Sequence, residues 1–349
     1  MESYTSDSSD SDSASKTVDL SYLHLDSQVL HEHFVRTTSP GHVETLLLHQ
    51  NRLSHIPDSV VMFSNLATLD VSNCGLQRLP DFLAELTHLV CLSAKNNALS
   101  NDSLPKSLER LPNLRELNLS GNRLSEFPEQ VLDLPGLRYL YLGGNQIGEI
   151  AKDVWKIQSL QVLSIGGNRL TEVPSTLGQL TALQALVLCD NRLENLPSSI
   201  ANLKNLKSLL LHKNSLRTLP TEIITLKNLT ELSLRDNPLV VRFVSDMTHN
   251  PPSLLELAAR VVKVSEIPYR EEDLPRTLLN YLDSAHHCVN PRCAGVFFDN
   301  RVEHVKFVDF CGKYRLPLLQ YLCSSKCIGP REGNEEVVSG AMIRKVLLG

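Results

Sequence analysis

The sequence predicts an α/β solenoid, a parallel β horseshoe of nine repeats, and three observations carry that reading. The pattern L-x-x-L-x-L-x-x-N-x-L recurs nine times, opening at Val43, Leu66, Leu89, Leu114, Leu137, Leu160, Leu183, Leu206 and Leu229. Seven of the eight steps between these openings are 23 residues long and one is 25. The ninth position reads Asn51, Cys74, Asn97, Asn122, Asn145, Asn168, Asn191, Asn214 and Asn237, so one polar role is held in register through the array. A period of this size belongs to units that bury their apolar faces only on one another.

The chain opens on a Ser/Asp tail. Residues 1–16 hold seven serines and no large aliphatic side chain, which predicts disorder. The tail is expected to be either a solvated segment or a target for an acid-directed kinase. Residues 17–42, with Leu20, Leu23, Leu25, Val29, Leu30 and Phe34, supply the N-terminal cap that a solenoid needs. From 43 to 250 the repeats follow the leucine-rich repeat signature. Each Leu-x-Leu is a short strand with its leucines inward, and the Asn amide turns onto backbone groups at the bend. Pro57, Pro80, Pro128, Pro174, Pro197 and Pro220 open a compact convex return. Twenty-three residues per unit leave room there only for short or 3₁₀ turns.

In this frame the side chains of the concave face can be read from the repeat. Tyr139, Tyr141, Val187 and Leu210 are expected as apolar groups at its centre, beside a gap left by Gly143, Gly144, Gly166 and Gly167. Aromatic anchors beside open backbone suit protein recognition, with Asp190, His212, Lys213 and Arg235 as polar contributors. The alternative is that apolar residues on a surface are ordinary. No nucleophile, base and orienting acid fall together, so an enzyme is not expected.

Past Asn237 the pattern breaks. Ser253 and Glu256 form a capping-box pair after Pro251-Pro252, predicting a helix from Ser253 or Leu254. Leu254, Ala258 and Val262 share one face, flanked by Leu257 and Val261. A second helix should follow Asp273, with Leu274, Leu278, Tyr281 and Leu282 on one face. These helices, at 251–285, either cap the solenoid or bind a partner. Further on, Cys288-x₄-Cys293 and Cys323-x₃-Cys327 are two close pairs that can supply four thiolates to a structural zinc. Cys311, His286 and His287 are reserve ligands, and free buried cysteines are the alternative. The intervening GVFFDNRVEHVKFVDFC alternates as strands do, which places each pair near a turn at one end of a small sheet in a 286–349 module.

Length and composition bound the function. The 349 residues, 42% hydrophobic, suffice for a large core. Thirty-four basic against thirty-nine acidic residues give net −5 with no basic stripe, so nucleic acid is not the expected partner. No apolar run approaches a membrane span and the N-terminus MESYTSDSSDSDSASK has no apolar leader segment, so a cytoplasmic or nuclear protein is expected, its eight cysteines thiols or metal ligands.

A resemblance sharpens this. Ser253-Leu254-x-x-x-Ala258-x-x-x-Val262 is similar to the elongin C binding box, and Leu274-Pro275 with Leu278 and Tyr281-Leu282 is similar to the cullin-selecting half of a SOCS-type box. Two departures stand out: Ala258 where Cys is commoner, and Thr277 where the cullin 5 motif ends in proline. The order of repeats, box and cysteine module resembles the leucine-rich repeat substrate receptors of elongin-cullin ubiquitin ligases. The resemblance implies that Ser253, Leu254, Leu257, Ala258 and Val262 bind elongin C of an elongin B/C pair in helix-in-groove fashion. It also implies that Leu274, Pro275, Leu278, Tyr281 and Leu282 select cullin 5 or cullin 2 with its RING protein, and that the solenoid holds a protein substrate.

Overall fold

The computed structural model describes residues 16–239, 252–270, 272–290, 293–310, 314–327, 337–338 and 345–347. The tail before Lys16 and the reserve ligand Cys311 lie outside them. Each Leu-x-Leu is a three-residue strand: β1 (Thr17–Asp19), β2 (Thr45–Leu47), β3 (Thr68–Asp70), β4 (Cys91–Ser93), β5 (Glu116–Asn118), β6 (Tyr139–Tyr141), β7 (Val162–Ser164), β8 (Ala185–Val187) and β9 (Ser208–Leu210). After the two-residue β10 (Leu219–Pro220) comes β11 (Glu231–Ser233). Nine strands up to β9, then β11, pair in parallel and in sequence order, so Glu116, Tyr139, Val162, Ala185, Ser208 and Glu231 stand side by side. From β2 to β9 the middle leucine is buried and its neighbours are half-exposed on the concave side, whereas β1 has a half-buried Val18 at its centre and β11 also buries Ser233. Helix α1 (Ser27–Arg36) buries Leu30 and Phe34 against the first turn, and Phe34 meets Phe63 edge-on, as a cap should.

The prolines act where the repeat places them. Pro57, Pro80, Pro128, Pro174, Pro197 and Pro220 each stand immediately before a 3₁₀ segment of three to five residues, having the fixed φ and missing N–H that suit a helical start. The single 25-residue step accommodates two short 3₁₀ segments, Asn101–Ser103 and Leu108–Arg110.

The asparagine ladder holds the corners. Asn145 Nδ2 donates to the carbonyls of Leu119 and Leu142, each at 3.0 Å, and its Oδ1 accepts the Leu124 N–H at 3.0 Å. Three backbone groups from two repeats that water cannot reach are thereby satisfied. Where Cys74 replaces Asn, its Sγ still donates to Leu48 O at 3.1 Å, and the Leu53 N–H goes to the Cys74 carbonyl instead. Asn145→Ala should therefore lower stability by about 3 kcal/mol, and Asn145→Cys by less. Chemical denaturation of the two variants side by side checks that order.

One consequence of the repeat was not visible in its consensus. Position eight of every repeat turns left-handed: Gln50, Asn73, Asn96, Asp190, Lys213 and Asp236 have φ of 53° to 61°, and Gly121, Gly144 and Gly167 of 65° to 67°. Tyr22 has φ 60° at the equivalent place, so the N-terminal cap is a degenerate further repeat.

The C-terminal cap is not helical. A hairpin of β14 (Val302–Phe310) and β15 (Tyr314–Leu322) lays Val308, Leu316 and Leu318 into the solenoid core, and β15 pairs in parallel with β10 through Leu219 and Leu318. Helices α2 (Leu254–Val264) and α3 (Arg276–Asp283) pack elsewhere. Ala259 and Leu282 form a second core with Val296 and Phe298, to which Val262, Leu274 and Tyr281 add. The boundary expected at 285 therefore does not separate two units: the helices and the β12 (His286–His287) and β13 (Val296–Phe297) pair share one core. Short strands β16 (Val337–Val338) and β17 (Lys345–Leu347) lie beside β14 and β11. Among the described residues no helix is long and apolar enough to cross a membrane.

Candidate metal centre and docking surfaces

The four cysteines singled out by spacing come together. The Cys288 N–H donates to Gly295 O at 2.9 Å and the Cys293 N–H to Asn290 O at 2.9 Å, so the first pair sits between β12 and β13. Cys323 and Cys327 sit on the turn leaving β15. The sulfurs of Cys288, Cys293, Cys323 and Cys327 lie within 4.8 Å of one another, and Cys293, Cys323 and Cys327 are mutually 3.5 Å apart. Tetrahedral thiolates at the usual Zn–S length stand about 3.8 Å apart, whereas a disulfide needs about 2 Å. The quartet therefore fits a structural metal ion and not a pair of disulfides. His286 and His287 are exposed on β12 and are not in the cluster.

Local electrostatics agree with that chemistry. The Gly295 N–H donates to Cys293 Sγ at 3.3 Å and holds this thiol below its usual range. Burial pushes the Cys323 and Cys327 thiols up, a shift that a bound cation would oppose. Gly295 is required by space as well: a Cβ there would lie 2.6 Å from Cys323 Sγ and 3.0 Å from Cys293 Sγ.

The helix expected to dock a partner is anchored on this centre. Ser253 caps α2 by accepting the Glu256 N–H at 3.1 Å, as the capping pair predicts. The Glu256 carboxylate does not turn back to close the box. It is 1% exposed and accepts the N–H groups of Phe298 at 3.2 Å and Asn300 at 3.0 Å. Arg260 pairs with it through Nε at 3.1 Å and donates to Cys323 O at 2.7 Å and to Asn300 O. In the sequence Glu256 has only a capping role and Arg260 is not singled out, because their partners lie up to 63 residues away.

With that face turned inward, the opposite face is apolar and uncovered. Leu254 is 85% exposed, and Leu255, Leu257, Ala258, Val261 and Val264 are exposed beside it. Val262, which the box pattern places on this face, instead packs against the inner core, and Val261 at 57% exposure takes its place. The second motif is largely inward too. Leu282 is buried, Leu274 adds to the same core, and Tyr281 stacks on Phe298 at 4.7 Å with its hydroxyl on Asp299 at 3.0 Å. Pro275 is exposed and Leu278 half-exposed.

On the concave face, Tyr139 and Tyr141 are half-buried on β6, Val187 on β8 and Leu210 on β9. Tyr139 Oη donates to Gln161 at 3.3 Å. Asp190 and Lys213 occupy left-handed corners at the rim, Arg235 is exposed, and His212 Nδ1 lies 3.2 Å from the Ser233 hydroxyl. The gap expected at the glycines is filled: a Cβ on Gly166 would lie 2.8 Å from Cys189 Sγ, and one on Gly143 3.2 Å from Gly166 O. Gly144 and Gly167 serve the corner conformation.

Known proteins share the repeat fold. The leucine rich repeat family model matches residues 104–147, 135–193 and 181–239. Among solved structures, a TDR receptor is 28% identical with a TM-score of 0.50 over 64% of this chain and 43% of that one. The functional domain of InlJ from Listeria monocytogenes, at 21% identity and TM-score 0.53 over 66% of this chain and 46% of that one, shares the fold. Leucine-rich repeat-containing protein 58 of Homo sapiens is 69% identical over 284 residues, 80% of this chain and 76% of that protein. Its Xenopus laevis counterpart is 60% identical over 339 residues, 95% of this chain and 97% of that protein. Matched at that level over as much as 95% of its length, the chain belongs to the leucine-rich repeat-containing protein 58 family.

Proposed function

We propose that this leucine-rich repeat protein, whose sheet is a surface for protein–protein interaction, is the non-catalytic substrate receptor of an elongin B/C cullin-RING ubiquitin ligase. In this reading α2 enters elongin C, the concave face holds the substrate, and the cysteine quartet binds a structural zinc that seats α2. One observation carries it. Leu254, in the first turn of α2, is 85% exposed, with Ala258 and Val261 continuing its row, and the hairpin rather than the helices caps the solenoid. The rival reading, a scaffold whose terminal helices only close the horseshoe, leaves that apolar face without a purpose. The elongin-binding set becomes Ser253, Leu254, Leu257, Ala258 and Val261. Cullin contact falls on Pro275 and Leu278, because Tyr281 and Leu282 are engaged inside the module.

Leu254→Asp should reduce recovery of elongin C with the full chain about tenfold or more, since a charge would enter an apolar pocket. The melting temperature should not move, because Leu254 is 85% exposed and has little buried surface to lose. Equal recovery of elongin C by wild type and variant would remove the ligase reading.

A further inference from the structure

The chemistry of the concave floor points to the kind of substrate it holds. The floor consists of the two residues that flank the central residue, Val18 on β1 and a buried leucine on the others, of each of the ten strands, of which Ser233 on β11 is buried. None of these positions is Lys, Arg or His. Carboxylates stand on alternate strands of one half, Asp19 on β1, Asp70 on β3 and Glu116 on β5, about 10 Å apart. From β6 to β9 the floor is uncharged and carries Tyr139, Tyr141, Val187 and Leu210. At the far end Glu231 accepts the Ser208 hydroxyl at 2.8 Å.

The fold does not require the negative charge. Asp19 and Asp70 each accept the N–H two residues on, from Ser21 at 3.0 Å and Ser72 at 2.9 Å, but Asn118 does the same for Ser120 at 3.1 Å without a charge. Glu116 makes no such bond and has no ion-pair partner among the described residues. Asp70 has His49 Nδ1 3.5 Å from its carboxylate. The field of these acids reaches their neighbours: Glu116 and Asp70 add to the burial that pushes the Cys91 thiol up to about 11, and Glu116 adds to the burial that raises Tyr141.

We propose that the concave face binds an extended protein segment whose arginine or lysine side chains seat over β3–β5 and whose apolar side chains continue over β6–β9. From β3 to β9 is about 29 Å, the length of roughly nine extended residues. The carboxylates meet the cations, and the Tyr141 ring beside Glu116 offers a face to a guanidinium. This rests on the concave face being the substrate site, and the test separates the two.

The probe is a fluorescein-labelled nine-residue peptide with arginine at its first and third positions, which share one face of an extended chain, and valine and leucine at the rest. An otherwise identical peptide with glutamate replaces it as the comparison. Anisotropy is measured with the full chain, with Asp70→Asn/Glu116→Gln, with Tyr139→Ala/Tyr141→Ala, and with Glu149→Gln, which is off the floor. The arginine peptide should bind at least about tenfold more tightly than the glutamate peptide, lose about tenfold with either double variant, and be unaffected by Glu149→Gln. If both peptides bind equally and only the tyrosine variant abolishes binding, the site stands and its proposed charge preference is wrong. If neither binds up to about 1 mM, or neither double variant matters, the concave face is not this site.

Discussion

Glu256→Ala should destabilise the C-terminal module by about 3–5 kcal/mol, the usual result of breaking a buried ion pair from one side. The carboxylate takes two backbone N–H groups and the Arg260 guanidinium, and its removal leaves Phe298 N, Asn300 N and a largely buried cation without their acceptor. Glu256→Ala with Arg260→Met should be less harmful than Glu256→Ala alone, because the uncompensated charge is then gone. Hydrogen exchange over 254–310 is the suitable probe, since the solenoid has its own core. Equal destabilisation by the single and double variants would mean that Arg260 is not the charge being compensated.

Loss of the metal should have a larger effect. A structural zinc on four thiolates contributes on the order of 10 kcal/mol of apparent binding energy at neutral pH, and all of it is folding energy for the segment that it closes. Native mass spectrometry should find about one zinc per chain, and Cys293→Ser or Cys327→Ser should abolish it. The damage should spread in order. The segments that carry Cys288, Cys293, Cys323 and Cys327 open first, and α2 then loses the Cys323 carbonyl that receives Arg260. The last repeats follow, because the hairpin that caps them ends at Leu322, one residue before Cys323. Repeats near β5 should keep their exchange protection, since solenoid units couple to their neighbours. A folded protein without metal and with an unchanged melting temperature would contradict this.

What the sequence disclosed and what it hid follow one physical line. Leu-x-Leu strands, proline-led 3₁₀ turns and the start of α2 at Ser253 are local, set by periodicity and capping within a dozen residues. The cysteine quartet was also legible, because two close pairs flanking a β-rich stretch can meet only if that stretch folds back. Glu256 was misread for the opposite reason. Three residues after Ser253 it satisfies the capping pattern, and nothing nearby announces that its carboxylate is taken by residues 298 and 300. Val262 was placed on the outer face by a pattern in which Val261 is its equal neighbour, and only the inner core at Phe298 decides between them. The hairpin cap was hidden because β10, two residues long, pairs with a strand nearly a hundred residues later. Long-range pairing of this kind leaves no period to detect.

The most direct measurement is hydrogen exchange of the full zinc-loaded chain with and without purified elongin B/C. The account predicts slowed exchange confined to 252–267, centred on Leu254 to Val261, with the concave strands unchanged and the effect absent in Leu254→Asp. Exchange of that helix identical in the presence and absence of elongin B/C, at concentrations of tens of micromolar (~10⁻⁵ M) where a helix-in-groove contact is populated, would contradict it.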